Sequence, residues 1–286
     1  MENSIEVKGL EKIYPGFEMK NMNFIVPTGS IVGLIGENGA GKTTLIKSIL
    51  NSIHISKGEI CIFGKDANEY EKEVKEQIGV VLDDMFFAEI LKVKDIHSIM
   101  KSIYHNWDET YFFEKLKEFG IPKDKMLKQL SKGMKKKVEI VTALSHHPKL
   151  LILDEPTSGL DPVIRNEVLD LFLEFIQDET NSILFSTHIT SDLEHIADYI
   201  AFIEHGNLIF SKDKDELLEQ YGLIKCSEED YQKMDKKDIL RVKKNRYDYE
   251  ILTDHRSEMK KKYSNLVIDK ATLEDIMLLY VKGEEA

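Results

Sequence analysis

The stretch GENGAGKT at residues 36–43 constrains this chain more than any other. It fits the spacing G-x-x-x-x-G-K-[ST], and its flanks are those the spacing needs. An apolar run, IVGLI at 31–35, precedes it, and a helical pattern over residues 42–50 follows. Strand, glycine turn and helix in that order make a loop whose backbone N–H groups converge on phosphate oxygens, at the positive end of a helix. Gly36, Asn38, Gly39, Ala40 and Gly41 build the loop. Lys42 is placed to reach β- and γ-phosphates, Thr43 to hold Mg²⁺ through its hydroxyl, and Thr44 follows in the same turn.

A loop of this kind serves many nucleotide-driven machines, so a second acidic strand end is needed. LLILDEP at 150–156 supplies one. Asp154 follows four apolar residues and suits Mg²⁺, directly or through water. Glu155 is next to it, where a carboxylate polarises water for in-line attack. His188 closes the buried run NSILFSTH. It is either a bridge between γ-phosphate and the attacking water or one of nine histidines lying at the surface. His146 and His147 stand before Pro148 as helix caps, without a third ligand for a metal.

The remaining pattern is α/β with two departures. Residues 5–9 and 22–26 read as strands around a turn at Pro15 and Gly16, residues 58–64 as strand and turn, and 69–76 as a short charged helix. IGVVLDD at 78–84 is a buried strand ending in two aspartates. From about 85 to 146 helical periodicity replaces strands, which predicts a helical insertion. Pro162 suits the first turn of an amphipathic helix over 162–178, and a further helix runs through Ala197. Residues 199–212 read as a hairpin with Gly206 and Asn207 at its turn. Past Leu218 the signal weakens to short strands and a final helix over 272–280, with Leu273, Ile276, Met277 and Tyr280 on one face. Two domains are expected, 1–218 and a small α+β accessory unit at 219–286 that packs on the first or helps dimerisation.

Charge and cysteine usage narrow the function. The 286 residues carry 39 Lys+Arg against 51 Asp+Glu. Residues 221–286 hold 14 of each, so the first part, with 25 basic and 37 acidic residues, carries the whole net charge of -12. Such a domain is a poor nonspecific partner for nucleic acid. Four lysines within residues 132–137, in LSKGMKKKVEI, are the local exception. Cys61 and Cys226 lack metal-ligand spacing and fit a reducing compartment. The N-terminal residues lack an apolar export core, and no apolar window is long enough to span a bilayer.

Over roughly residues 5–215 these motifs resemble the ATP-binding cassette (ABC) ATPases, the nucleotide-binding subunits of membrane transporters. GENGAGKTT looks like the Walker A loop, LLILDEP like Walker B, SGLD at 158–161 like the D-loop and STH at 186–188 like the switch histidine. LSKGM at 130–134 stands where the family has its signature. The resemblance implies a P-loop NTPase core with an antiparallel β subdomain, a helical insertion and a small C-terminal α+β extension. It implies ATP and Mg²⁺ as cofactors and ATP hydrolysis as the activity. Tyr14 stands where the family stacks an aromatic ring on adenine. Ser131 and Gly133 take the roles that meet the γ-phosphate held by a partner subunit, and Ser158 and Asp161 face that partner. The lysines at 135–137 are then expected toward solvent or an acidic partner surface, and no nucleic acid is expected.

The family arrangement is a head-to-tail homodimer, or a heterodimer with a sister ATPase, at the cytoplasmic face of the membrane and driving separate transmembrane permease subunits. SxGM in the signature and the short layout look most like the bacterial exporter-type branch for peptides and antibiotics. The family glutamine that touches magnesium and water is replaced by Asp83, an acceptor without the amide donor. Either the site works with altered coupling or this half-site is slow. Asp84 leaves the register open by one. After it, Met85, Phe86 and Phe87 are candidate contacts for a coupling helix of the membrane subunit, and Trp107 is expected to pack.

Overall fold

A computed structural model describes residues 3–69, 71–83 and 86–285. Asp84 and Met85 lie outside the described residues. In chain order the first part contains β1 (Asn3–Tyr14), β2 (Phe17–Pro27), β3 (Ile31–Ile35), α1 (Lys42–Ile49), β4 (Lys57–Ile62), β5 (Lys65–Asp66), α2 (Glu71–Lys75) and β6 (Ile78–Val81). The insertion follows as α3 (Val93–Ile103), α4 (Glu109–Glu118), a 3₁₀ turn (Leu127–Gln129) and α5 (Lys132–Leu144). Next come β7 (Leu150–Asp154), α6 (Pro162–Phe175), β8 (Ser182–Ser186), α7 (Thr190–Ile196), β9 (Tyr199–Glu204), β10 (Asn207–Asp213) and α8 (Lys214–Gln220). The tail holds β11 (Gly222–Cys226), α9 (Glu228–Lys233), β12 (Arg241–Lys244), β13 (Tyr249–Thr253), α10 (Arg256–Lys262), β14 (Ile268–Lys270) and α11 (Leu273–Lys282).

The sheets explain the two kinds of strand pattern. The six-stranded sheet has the order β10-β9-β3-β8-β7-β6 and is parallel from β9 to β6. Its central strands, IVGLI, LLILD and SILFS, are buried at every position because helices cover one face and a second sheet the other. That second sheet, β2-β1-β4-β5, is antiparallel. Along β2 buried residues such as Met22, Phe24 and Val26 alternate with exposed ones, as a half-solvated sheet requires.

One apolar core lies between these sheets with α1, and another lies on the opposite face under α6 and α7. The insertion has its own core around Phe112, Leu116 and Val138, which Trp107 joins with its indole N–H donated to His97 Nδ1 at 2.9 Å.

The C-terminal unit packs on the main body. Its antiparallel sheet, β12-β13-β11-β14, has a small core of its own, but α11 joins the core under α6 and α7 through Leu273, Ile276, Leu279 and Tyr280. Met277 packs against the same core from its edge, as expected, and Leu279 joins it fully buried. Tyr280 lies against Phe202 at 5.3 Å between ring centroids. The β9–β10 turn differs from expectation by one residue. His205 and Gly206, with φ of 45° and 78°, make the turn, and Asn207 already pairs with Glu204. Two successive left-handed residues match the twist of a tight hairpin, and histidine tolerates that conformation better than bulkier types.

Candidate functional site

The strand order sets the site. Neighbours β3, β8, β7 and β6 run parallel, so their C-terminal ends share one edge of the sheet. Ligands of open α/β sheets sit outside such ends. The glycine loop leaves β3, Thr187 and His188 follow β8, Asp154 closes β7, and Asp83 follows β6. Segments more than 100 residues apart thus meet along one line.

The loop keeps its shape by close approach. Gly41 has φ 115°, and a Cβ there would stand 2.9 Å from the Phe17 ring. A Cβ on Gly36 would run into the Ile203 carbonyl oxygen. Ala40 is buried, its carbonyl oxygen accepting from Gly206 N at 2.8 Å. Gly41 is the N-cap of α1 and offers no side chain, so no side chain caps the first-turn N–H groups of this helix. They open onto a cleft of 670 Å³, within the ~300–1,000 Å³ common for ligand pockets.

Asn38, Gly39, Gly41 and Thr44 line this cleft from the loop, Tyr14 and Phe17 from the β1–β2 turn, and Asp83, Asp154 and Glu155 from the other strand ends. Lys42 is 6% exposed and donates to the carbonyl oxygens of Gly36 at 2.6 Å and Glu37 at 3.1 Å. Burial pushes its pKa below the ordinary value, against Glu155, Asp154 and Glu37, which hold the ammonium charged. Thr43 Oγ1 donates to Asp154 Oδ2 at 2.9 Å. A hydroxyl and a carboxylate at that separation, beside uncapped helix N–H groups, form an oxygen donor set that suits a phosphate-bound Mg²⁺.

Glu155 sits in the left-handed region with φ 51°, a conformation that costs a non-glycine residue about 1–3 kcal/mol and gathers at functional sites. Its N–H donates to Ser186 O at 2.9 Å, which turns the carboxylate toward β8. There Oε2 meets His188 Nδ1 at 2.8 Å and accepts from Thr187 Oγ1 at 3.3 Å. His188 reaches the site through this contact and is itself half exposed.

Four expected residues lie elsewhere. Ser131 caps α5, its Oγ accepting from Met134 N at 3.2 Å. Gly133 is buried, and a Cβ there would meet Ile164 Cδ1 at 2.5 Å. Asp161 caps α6 by accepting from Val163 N and Ile164 N, and Ser158 is partly exposed just before it. None of the four lines the cleft.

The lysine run corrects an expectation. Lys135 is three-quarters covered and meets Glu89 at 2.5 Å. Lys136 and Lys137 are buried, at 5% and 7% exposure. Lys136 pairs with Glu139 at 2.9 Å, and Lys137 pairs with Glu167 and lies over the Phe119 ring. A helix turning 100° per residue cannot keep three consecutive side chains on one solvent face, and here each lysine meets a carboxylate of this chain, the one at Glu139 buried.

Sequence reasoning missed Phe17, Glu37, Lys47 and Thr187. Phe17 had a signal: a two-residue turn at Pro15 and Gly16 places it opposite Tyr14, as the register shows. Among the described residues no group of three or more His, Cys, Asp and Glu side chains forms a metal cluster, and no helix is long and apolar enough to cross a membrane.

The chain has relatives among known proteins. The ABC transporter family profile matches residues 19–158. The ABC transporter ATP-binding protein YtrB of Bacillus subtilis (strain 168) is 33% identical over 224 residues, 78% of this chain and 76% of that protein. The lantibiotic transport ATP-binding protein SrtF of Streptococcus pyogenes is 33% identical over 214 residues, 74% of this chain and 91% of that one. A solved ATP binding subunit of an ABC transporter superposes with a TM-score of 0.68 at 30% identity, covering 76% of this chain and 92% of its own. A cleft built from a glycine loop, an acidic strand end and a paired Glu155–His188, on a chain with these relatives, leads to one conclusion: the protein belongs to the ABC transporter family, as an ATP-binding subunit with ATPase activity.

Proposed function

We propose that two nucleotide-binding domains close head to tail on ATP and that hydrolysis reopens them, driving an exporter through separate permease subunits at the cytoplasmic face of the membrane. The observation that carries this reading is the joined set Lys42, Thr43–Asp154 and Glu155–His188 on one sheet edge. Tyr14 stacks on adenine. Lys42 exchanges its loop carbonyls for β- and γ-phosphate oxygens, and the uncapped N–H groups of α1 hold the same oxygens. Thr43, Asp154 and Asp83 are the oxygen ligands for Mg²⁺, which when bound supplies positive charge against the phosphate oxygens. Glu155 accepts the hydrogen bond of the attacking water, and His188 holds that carboxylate in place.

Ser131 and Gly133 lie outside this cleft, at the start of another helix. That separation supports a composite site, in which they meet the γ-phosphate of a second subunit while Ser158 and Asp161 face across. The domain division is 1–218 for the ATPase and 219–286 for an accessory unit. A mostly apolar groove of 520 Å³ beside the cleft, lined by Leu50, Ile78, Phe87, Met100 and Tyr104 with the exposed Phe86, suits a short helix of the permease. The name of SrtF, a lantibiotic transport protein, supports an export role for this chain.

The test is Mg²⁺-dependent ATP turnover against protein concentration, with Glu155→Gln in parallel. The reading expects a rate rising more steeply than linearly, a loss of about 10²–10⁴ in the variant, and ATP-induced dimers accumulating there. Negligible turnover despite ATP binding refutes a self-sufficient homodimer and points to a required partner, a sister ATPase or the membrane subunit.

A further inference from the structure

The described ion pairs include one buried on both sides on the helix that carries the signature. Lys136 and Glu139 of α5 meet at 2.9 Å, with side chains 6% and 9% exposed. Such a pair is a poor device for stability alone, because desolvation offsets the attraction and an apolar pair does as well. Its geometry has a second part. Lys136 Nζ also donates to the carbonyl oxygen of Leu82 at 3.0 Å. Leu82 is the first residue past the end of β6, where the backbone leaves the ladder and needs another partner.

Leu82 lines both the nucleotide cleft and the apolar groove, and the next residue, Asp83, lines the cleft. Glu139 lines the groove. Burial pushes its carboxyl pKa up, against Lys136, which holds it down. The ammonium sits between a carboxylate that lines the groove and the backbone carbonyl of Leu82, a residue that lines both cavities. Five residues before Lys136 the same helix begins at Ser131.

We propose that Lys136, oriented by Glu139, is a positioning residue that ties the Leu82–Asp83 peptide to α5. The cleft carboxylate and the helix start at Ser131 are then displaced together. This rests on the reading above that Asp83 belongs to the nucleotide site. Lys135, whose partner Glu89 is exposed, contributes little to the tie.

The experiment compares the full chain with Lys136→Met, Lys136→Arg, Lys135→Met and the double variant Lys136→Met with Glu139→Gln. Thermal midpoint, ATP binding, kcat, KM and deuterium uptake of a peptide spanning 78–91 are measured. Lys136→Met is expected to lower kcat about tenfold with KM and ATP binding unchanged, and to raise deuterium uptake in that peptide. Lys136→Arg is expected to recover most of the rate, and Lys135→Met to match the parent. The double variant removes the stranded carboxylate. It is expected to regain the thermal midpoint and not the rate. Recovery of both together, or unchanged deuterium uptake in Lys136→Met, overturns the tie and leaves the pair a packing feature. An inactive parent chain instead counts against turnover by this chain alone, and the deuterium comparison still decides whether the tie exists.

Discussion

Two helices of this chain begin with a lysine beside a glycine, and they use their first turns in opposite ways. α1 starts after Gly41, has no capping side chain, and keeps Lys42 inside its own loop at the edge of a cleft. α5 starts after Ser131, whose hydroxyl oxygen already accepts from Met134 N, and its lysines reach Glu89, Leu82 O and Glu167 on other parts of the fold. The first start is an open set of donors waiting for anions. The second is braced from behind and presents only its tip. An open helix start that lines the cleft and a capped one that lies outside it differ in this respect, although GK and SKG look alike as sequence.

Lys42→Met attacks the open start and has the largest expected effect. Loss of the ammonium should cut turnover by about 10²–10³ and weaken ATP binding together, read by single-turnover kinetics and nucleotide titration. Ser131→Ala attacks the braced start. It should lower kcat about tenfold with ATP affinity of the isolated subunit intact. The lost cap should cost about 1 kcal/mol in a denaturant titration. Equal loss of ATP affinity in both variants would erase the contrast between the two helices. Tyr14→Ala should weaken ATP about tenfold and leave kcat at saturation unchanged, since stacking on a base is worth ~1–3 kcal/mol.

An effect on stability and not on turnover lies just past the far end of α5. His146 is 1% exposed, stacked on Tyr104 at 3.9 Å, with Nε2 at 3.1 Å from Ile78 O. Burial pushes its pKa from 6.5 to about 4. The unfolded chain takes up a proton near pH 6.5 that the folded chain refuses until about pH 4. Stability is therefore full above that window and falls as pH drops through it, by roughly 3 kcal/mol at most. His146→Phe keeps a ring on Tyr104 and should flatten this acid slope in thermal midpoints taken at pH 7 and pH 5. An unchanged slope would assign the acid loss to other groups.

The parts of the fold legible in the sequence are those in which one local period dominates. The runs IVGLI, LLILD and SILFS are buried on both faces and showed it by unbroken apolarity. Asp154 was readable because an acid at the end of such a run has few other uses. Asp83 was singled out only through the family resemblance, with Asp84 leaving the register open by one, and it lines the cleft. The left-handed Glu155 and the burial of Lys136 and Lys137 were harder. Each depends on a neighbour that local spacing does not announce.

The sequence by itself determined the phosphate loop, the acidic strand ends, the helical insertion and the family, because short-range spacing encodes strands, helices and turns directly. Only the tertiary structure decided which of these meet. The order β3-β8-β7-β6 gathers Lys42, His188, Asp154 and Asp83 at one edge. The folding of the insertion against that edge turns two of four lysines inward onto Glu139, Glu167 and the Leu82 carbonyl. A charged side chain resists burial until a partner is supplied, and here the partners Glu167 and Leu82 lie 30 and 54 residues away in sequence.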